Sequence, residues 1–173
     1  MEFSPKTKTV VVGIGNLIRT DDGFGLHALE RLRRDPRVPA GVTFIDGGTY
    51  GLELLTCISD STHLLLLDAI DVGEPPGTVV RMANEELRGL PGAASVHQVG
   101  LADLLAMLPL VSTTAREIVL LGVSPLSTDW GTDLSAPVAA ALDALVEEAV
   151  AQLARWAGEL SPERVLAGER SNL

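Results

Sequence analysis

The stretch Val10-Val-Val-Gly-Ile-Gly-Asn-Leu-Ile-Arg-Thr-Asp-Asp-Gly-Phe-Gly-Leu26 is the most informative part of this chain. A short apolar run breaks at Gly13-Ile-Gly15-Asn16, and two adjacent carboxylates, Asp21 and Asp22, follow. A strand that ends in a glycine-rich turn before a helix often prepares backbone N–H groups for a phosphate. Two acids in that turn would repel a phosphate, so the stretch has the shape of a nucleotide loop and the wrong charge for one.

The rest of the chain repeats this alternation of apolar strand and amphipathic helix. Short apolar runs predict strands over Thr9–Ile14, Val42–Ile45, His63–Leu67, Thr78–Met82 and Glu117–Val123. Apolar residues at helical spacing predict helices over Phe24–Arg34, Gly51–Asp60, Gly100–Leu108 and Pro137–Leu160, the last with Ser135 as N-cap. The pattern predicts an α/β sandwich with a mostly parallel sheet, one domain over residues 1–157 and a flexible tail over 158–173.

Composition and charge restrict the classes of partner. The 173 residues carry a formal net charge of −10, which disfavours nucleic acid and anionic membranes. The one cysteine, Cys57, excludes an intramolecular disulfide and a multi-cysteine zinc site, and its apolar neighbours predict a small core residue. The sequence shows no signal-peptide pattern and no apolar run near the roughly 20 residues that span a bilayer, so a cytoplasmic, soluble protein is expected.

Polar side chains follow the predicted strands. Asp22 comes after the first, Asp46 ends the second, Asp68 ends the third, and His97 lies in a loop before a helix. Loops at the carboxyl edge of a parallel sheet converge on one crevice, where two carboxylates and an imidazole suit a divalent metal with open positions. The structural alternatives are a helix cap for Asp22, a turn for Asp46 and a hydrogen-bonded loop residue for His97. His27 and His63 are expected to be structural.

Two rival chemistries have weaker support. The residue types of a hydrolytic triad occur close together at Ser95, His97 and Asp103, but no Gly-x-Ser-x-Gly elbow exposes a serine. A nucleotide loop would need a third glycine at position 18, which is Ile, or a Lys-Ser/Thr ending that the chain lacks.

The opening motif, Gly13-Ile-Gly15-Asn16 followed by Asp21-Asp22-Gly23-Phe24-Gly25, resembles that of the hydrogenase maturation proteases, the endopeptidases that process the large subunit of nickel–iron hydrogenases. Further blocks resemble the family in its own order: Asp46–Leu54, Asp68–Gly73 with Pro76–Thr78, Ser95–Leu105, Gly122–Pro125 and Leu134–Val138. The similarity covers roughly residues 8 to 155, and several ordered blocks form a far more specific signal than any one of them.

The resemblance implies a three-layer α/β sandwich of the phosphorylase/hydrolase-like type, with a central twisted sheet flanked by helices. It implies that Asp22, Asp68 and His97 are the catalytic, metal-contacting residues. Many members carry Glu where Asp22 stands, so this ligand is one methylene shorter. Many also carry Glu or Gln where Ser124 stands, a departure expected to alter substrate docking.

The implied activity is removal of the C-terminal extension of the large-subunit precursor after nickel insertion. Nickel would arrive with the precursor, although other divalent metals suit the same ligands. Hydrolysis would follow from metal polarisation of the scissile carbonyl, from an activated water, or from one carboxylate as general base. The supporting residues would be Gly13, Gly15 and Asn16 in the first loop, Asp46, and Gly47 and Gly48, which would leave space for an extended substrate. Two further hypotheses are a checkpoint that binds the loaded precursor without cutting it, and a small-molecule or nucleotide binder.

Overall fold

The protein was analysed as a computed structural model that describes residues 8–49, 52–89, 101, 104–108 and 117–159. A five-stranded sheet forms its centre. The strands are β1 (Thr9–Ile14), β2 (Thr43–Gly48), β3 (His63–Ala69), β4 (Val79–Ala83) and β5 (Glu117–Val123). All five strand predictions are confirmed, and two match to the residue.

The strands lie in the order β2-β1-β3-β5-β4. Four of them are parallel, and β4 alone runs antiparallel, beside β5. The central strand β3, with the sequence His63-Leu-Leu-Leu-Leu-Asp-Ala69, is buried along its whole length. Such an unbroken apolar run is typical of a parallel strand covered on both faces, so the predicted mostly parallel sheet is confirmed.

Helices cover both faces of the sheet. The principal helices are α1 (Phe24–Arg33), α2 (Leu55–Ile58), α3 (residue 101 and residues 104–108) and α4 (Ala136–Glu159). Short 3-10 turns occupy Thr20–Gly23, Leu52–Leu54 and Asn84–Gly89. The segment predicted as one helix over Gly51–Asp60 is therefore a 3-10 turn followed by a single helical turn. The end of α4 at Glu159 leaves most of the predicted tail outside the described residues.

Alternation along the strands divides the core into two layers. One layer joins Val11, Leu65 and Leu121 to the apolar stripes of α1 and α4. The other layer joins Val12 and Leu66 to apolar residues of α2 and α3. The three-layer arrangement expected from the sequence is confirmed, with the sheet between two pairs of helices.

Helix α4 is fixed to the sheet by a buried tryptophan. The indole of Trp156 is fully buried, and its Nε1–H donates to Glu117 Oε2 at 2.9 Å. Its ring centroid lies 5.1 Å from that of His63, the buried first residue of β3. This contact gives His63 the structural role predicted for it and anchors α4 at the amino edge of the sheet, opposite the strand ends that carry the acids.

Two details differ from the sequence prediction. Strand β2 was expected to end before Asp46, but it continues to Gly48 because Gly48 pairs with Ile14 after a bulge in the register. Cys57 was predicted to lie in the core and is exposed, since only Leu54 and Ile58 of its segment are buried. In the part of the chain that the structure describes, no helix has the length and hydropathy needed to cross a membrane.

Candidate active site

The strand order places a crevice between β1 and β3. From β1 the chain continues to β2 at one edge of the sheet, and from β3 it continues to β4 at the opposite edge. At such a topological switch point the two outgoing connections diverge, and ligands of open parallel sheets bind there, outside the carboxyl ends of the strands. Asp22 follows β1 and Asp68 lies near the end of β3, so both belong to this crevice.

The loop after β1 is held by backbone hydrogen bonds. Gly15 N–H donates to Gly48 O at 2.8 Å, and Asn16 N–H donates to Asp22 O at 3.2 Å. Gly15 has a φ of +134°, and a Cβ there would collide with the carbonyl oxygen of Asp22. The side-chain oxygen of Asn16 accepts from Ile18 N–H at 3.1 Å. Both residues therefore shape the turn that carries Asp22, as the sequence predicted for this loop.

The start of α1 lies directly on the ends of β1 and β3. A Cβ at Gly25 would overlap the carbonyl oxygens of Ile14 and Leu67, so only glycine permits this close approach. The 3-10 turn that carries Asp22 contacts β3 in the same region. The packing brings the segment of Asp22 against the strand of Asp68, although the two residues are far apart in the sequence.

Asp68 is a buried carboxylate within the central strand. Its side chain is 1% exposed, and its Oδ1 accepts from Ala69 N–H at 2.8 Å. By strand alternation it lies on the same face as Leu64 and Leu66, which is the face covered by α2 and α3. Asp22 is also buried, at 5% exposure. Two buried carboxylates at one switch point form an acidic site in a region of low dielectric constant.

Asp21, the neighbour of Asp22, joins two loops. Its Oδ1 accepts from Ser135 N–H at 2.7 Å, while its Oδ2 accepts from Leu126 N–H at 2.9 Å, Ser127 N–H at 3.0 Å and Ser135 Oγ–H at 2.8 Å. Burial raises the pKa of this carboxyl, but the hydrogen bonds outweigh burial and hold the pKa below its usual value of 3.8. Ser135 lies directly before α4, as predicted, and its hydroxyl donates its hydrogen bond to Asp21.

The second predicted loop contributes a turn. Asp46 is exposed, and its Oδ1 accepts from Gly48 N–H at 3.0 Å, which is the structural alternative considered for it. Gly47 leaves no space for a substrate, because a Cβ at this position would lie 2.8 Å from Val12 Cγ1. Gly48, with a φ of +46°, has only the Asp46 carboxylate near its Cβ position, so its outer side is open.

His97 lies outside the described residues, as do Ser95 and Asp103. Helix α3 begins close behind this segment in the chain, and its apolar residues cover the face on which Asp68 lies. Among the described residues, no three His, Cys, Asp or Glu side chains form a group able to hold a metal ion. Of the predicted set, the structure therefore brings the segments of Asp22 and Asp68 together and leaves the place of His97 a prediction.

Ser124 has a different place from the one expected. It is buried, its Oγ–H donates to Glu74 O at 2.9 Å, and its N–H donates to Thr78 O at 2.9 Å. These bonds tie the end of β5 to the turn before β4. The Ser124 side chain itself does not reach the surface, and the expected effect of this departure on substrate docking stays a prediction.

Sequence reasoning missed the loop between β5 and α4. Thr20 donates from its N–H to Gly131 O at 2.8 Å and from its Oγ–H to Ser127 O at 2.6 Å. The guanidinium of Arg19 lies 5.0 Å from the centre of the Trp130 ring. The sequence signal was the pair of adjacent acids, of which Asp21 binds this loop.

Both the sequence and the fold of this chain are similar to those of known proteins. Residues 26–152 match the family model described as hydrogenase maturation protease. The hydrogenase expression/formation protein HupD of Rhodobacter capsulatus is 34% identical over 170 residues, covering 96% of this chain and 80% of that protein. The hydrogenase 2 maturation protease of Escherichia coli K12 is 32% identical over 161 residues, covering 92% and 98%. Among solved structures, the hydrogenase maturating endopeptidase HybD from E. coli superposes with a TM-score of 0.81 at 33% identity, covering 86% of this chain and 93% of that one.

Proposed function

Because this chain belongs to the hydrogenase maturation protease family and is a peptidase of that kind, we propose that it removes the C-terminal extension of a hydrogenase large-subunit precursor. We further propose that the precursor is cut after nickel insertion, and that Asp22, Asp68 and His97 recognise the nickel it carries. Processing belongs where the large subunit is made, so we infer a cytoplasmic location. The observations that support the site are the burial of both carboxylates and their positions after the two strands that flank the switch point of the sheet.

The donor set fits a substrate-borne metal. Carboxylate oxygens and an imidazole nitrogen are hard to borderline ligands, which suits a divalent ion that keeps other ligands of its own. Asp22 and Asp68 come from different elements, and their backbones are fixed by the packing of Gly25 on the ends of β1 and β3. A rigid two-carboxylate site gains a favourable interaction with a loaded precursor that an empty precursor cannot provide.

The residues of the chain then have separate tasks. When bound, nickel in the precursor supplies a Lewis acid that polarises a nearby carbonyl. Asp22 and Asp68, held apart from bulk water, orient the precursor through that ion, and one of the two carboxylates acts as the general base that accepts the proton of the attacking water. Both carboxylates must therefore be ionised for processing.

The test uses purified protein with precursor that carries nickel and with precursor that lacks it, and mass spectrometry detects the shortened subunit. Wild-type protein is expected to shorten only the loaded precursor. Asp68→Asn and His97→Ala are expected to lower the rate more than about 100-fold, since each removes a ligand or an acceptor. Asp143→Asn, which neutralises an exposed acid on α4, is the matched control and is expected to process normally.

A second readout separates cutting from binding. Co-precipitation of loaded precursor with each variant reports recognition whether or not the chain is cut. A wild-type protein that holds the loaded precursor in a stable complex and leaves it intact would establish the checkpoint alternative and refute the protease. Asp22→Glu is expected to retain activity, because the longer acid is compatible with the same ligand role.

A further inference from the structure

An exposed apolar patch adjoins the candidate site. The two loops that contain Asp22 and follow β5 expose large apolar side chains, namely Leu17, Ile18, Leu126 and Trp130. Trp130 is the most exposed of them, at 74%. Across the described residues only Leu52 and Met107 are exposed large hydrophobics elsewhere. A cluster of this kind, on a surface otherwise rich in polar groups, marks an interaction site.

The apolar patch is held in one shape before any partner arrives. Gly131 N–H donates to Ile18 O at 3.1 Å, and Arg19 forms an isolated parallel bridge with Gly131. The buried carboxylate of Asp21, in the first loop, accepts hydrogen bonds from the backbone of the second loop. Rigid presentation of an aromatic side chain lowers the entropy cost of association, which is a property of binding surfaces.

The charge around the apolar patch is negative. The loops that follow the parallel strands carry exposed acids at Glu53, Asp71, Glu74, Asp129 and Asp133, and Asp46 is exposed near the end of β2. None of these six forms an ion pair with any described basic residue, whereas Asp143 and Glu147 on α4 pair with Arg31 and Arg37. Arg19 is the one basic residue within the two loops, and it is stacked on Trp130. An apolar surface with an acidic rim fits a partner that presents apolar side chains flanked by Lys or Arg.

We infer that the apolar patch is the docking surface for the substrate protein, and that it receives a basic, apolar segment of the precursor with Trp130 as its anchor. The inference rests on the proposed function, since it assigns the occupant as the precursor. A partner docked there lies next to the segment of Asp22, because Ile18 and Asp22 belong to the same loop between β1 and α1. Trp130 acts in substrate binding and makes no contact with the reacting bond.

The test measures initial rates of processing over a range of concentrations of nickel-loaded precursor. Trp130→Ala is expected to raise KM about tenfold and to leave kcat within about twofold, since an aromatic anchor that becomes buried on binding is a typical hot spot and its truncation acts on binding. Leu126→Ala, at a second exposed position, is expected to raise KM in the same direction. Met107→Ala removes an exposed apolar side chain from α3 and is the matched control, with KM unchanged. Higher salt is expected to raise KM for the wild type and less so for Asp133→Asn.

The outcomes separate the two proposals. Wild-type protein that processes precursor, together with an unchanged KM in both Trp130→Ala and Leu126→Ala, overturns the docking surface and leaves the protease intact. Wild-type protein that never shortens a loaded precursor overturns the proposed function itself. Sedimentation that shows a dimer broken by Trp130→Ala, with KM unaffected, assigns the apolar patch to a second copy of this chain and also overturns the inference.

Discussion

Replacing Asp21 by Asn tests whether one buried carboxylate holds the candidate site together. Four donors, from Leu126, Ser127 and Ser135, converge on its two oxygens within 3.0 Å. In its better orientation an Asn oxygen keeps the three donors at Oδ2, and its NH₂ group then opposes Ser135 N–H. One charge-assisted hydrogen bond is lost, a buried donor is left unsatisfied and three bonds weaken, so we expect a loss of about 3 kcal/mol.

Urea unfolding at pH 7, with linear extrapolation at a constant m-value, measures this loss. Ser135→Ala removes one donor to the same carboxylate and is expected to cost about 1.5 kcal/mol. Asp143→Asn makes the same chemical change in an exposed ion pair with Arg31, where a loss of about 0.5 kcal/mol is typical. Equal losses in Asp21→Asn and Asp143→Asn would refute the structural role of Asp21.

The stability difference between wild type and Asp21→Asn is expected to depend on pH in one direction. The pKa of Asp21 is lowered in the folded protein, so its charged form is stabilised by folding. That contribution is complete above the usual value of 3.8 and is lost as the pH falls through the lower folded-state pKa. The difference in stability between wild type and Asp21→Asn should therefore be constant above about pH 5 and shrink below pH 4. A difference that grows on acidification would contradict the assigned hydrogen bonds.

The other predictions concern packing and a surface ion pair. Gly25→Ala should destabilise the fold by about 2–3 kcal/mol in urea unfolding, because its Cβ would overlap the carbonyl oxygen of Leu67. Gly158→Ala is the control in α4: space is open around the Cβ position, so its free energy of unfolding should rise by roughly 0.5 kcal/mol. The side-chain and backbone hydrogen bonds of Arg37 lower the pKa of Asp35 to about 2. A carboxyl titration by NMR should find that value, and Arg37→Ala should return it toward 3.8; an unchanged value would exclude the ion pair.

The sheet was predictable because its strands are determined by local sequence. Apolar runs of five to seven residues bounded by turn formers specify buried strands, and Thr9–Ile14 and Glu117–Val123 were placed to the residue. Strand β2 was placed too short because Asp46-Gly47-Gly48 has the composition of a turn. Pairing with β1 and the hydrogen bond from Gly15 to Gly48 keep these residues in the sheet, and that partner is remote in sequence.

For the candidate site, the sequence predicted which strand ends lie at the same edge of the sheet. The strand order creates a switch point between β1 and β3, and the sequence already placed Asp22 and Asp68 after these two strands. The sequence analysis chose Asp22 as the candidate and gave Asp21 no role, since the partners that bury Asp21 lie 105–114 residues away. It also predicted a core position for Cys57 from its apolar neighbours, whereas a segment of one helical turn buries only Leu54 and Ile58.

In the proposed function, the adjacency of Asp21 and Asp22 would couple substrate docking to catalysis. The carboxylate of Asp21 binds the loop that carries Leu126 and Trp130, while the next residue along the chain is the candidate ligand in the crevice. A single peptide unit therefore fixes the distance between the docking surface and the reacting centre. Loosening that unit should harm both parts at once, so Asp21→Asn should raise KM for loaded precursor and also lower kcat, whereas Trp130→Ala should change KM alone. A fall in kcat without a rise in KM would show that the two loops are positioned independently.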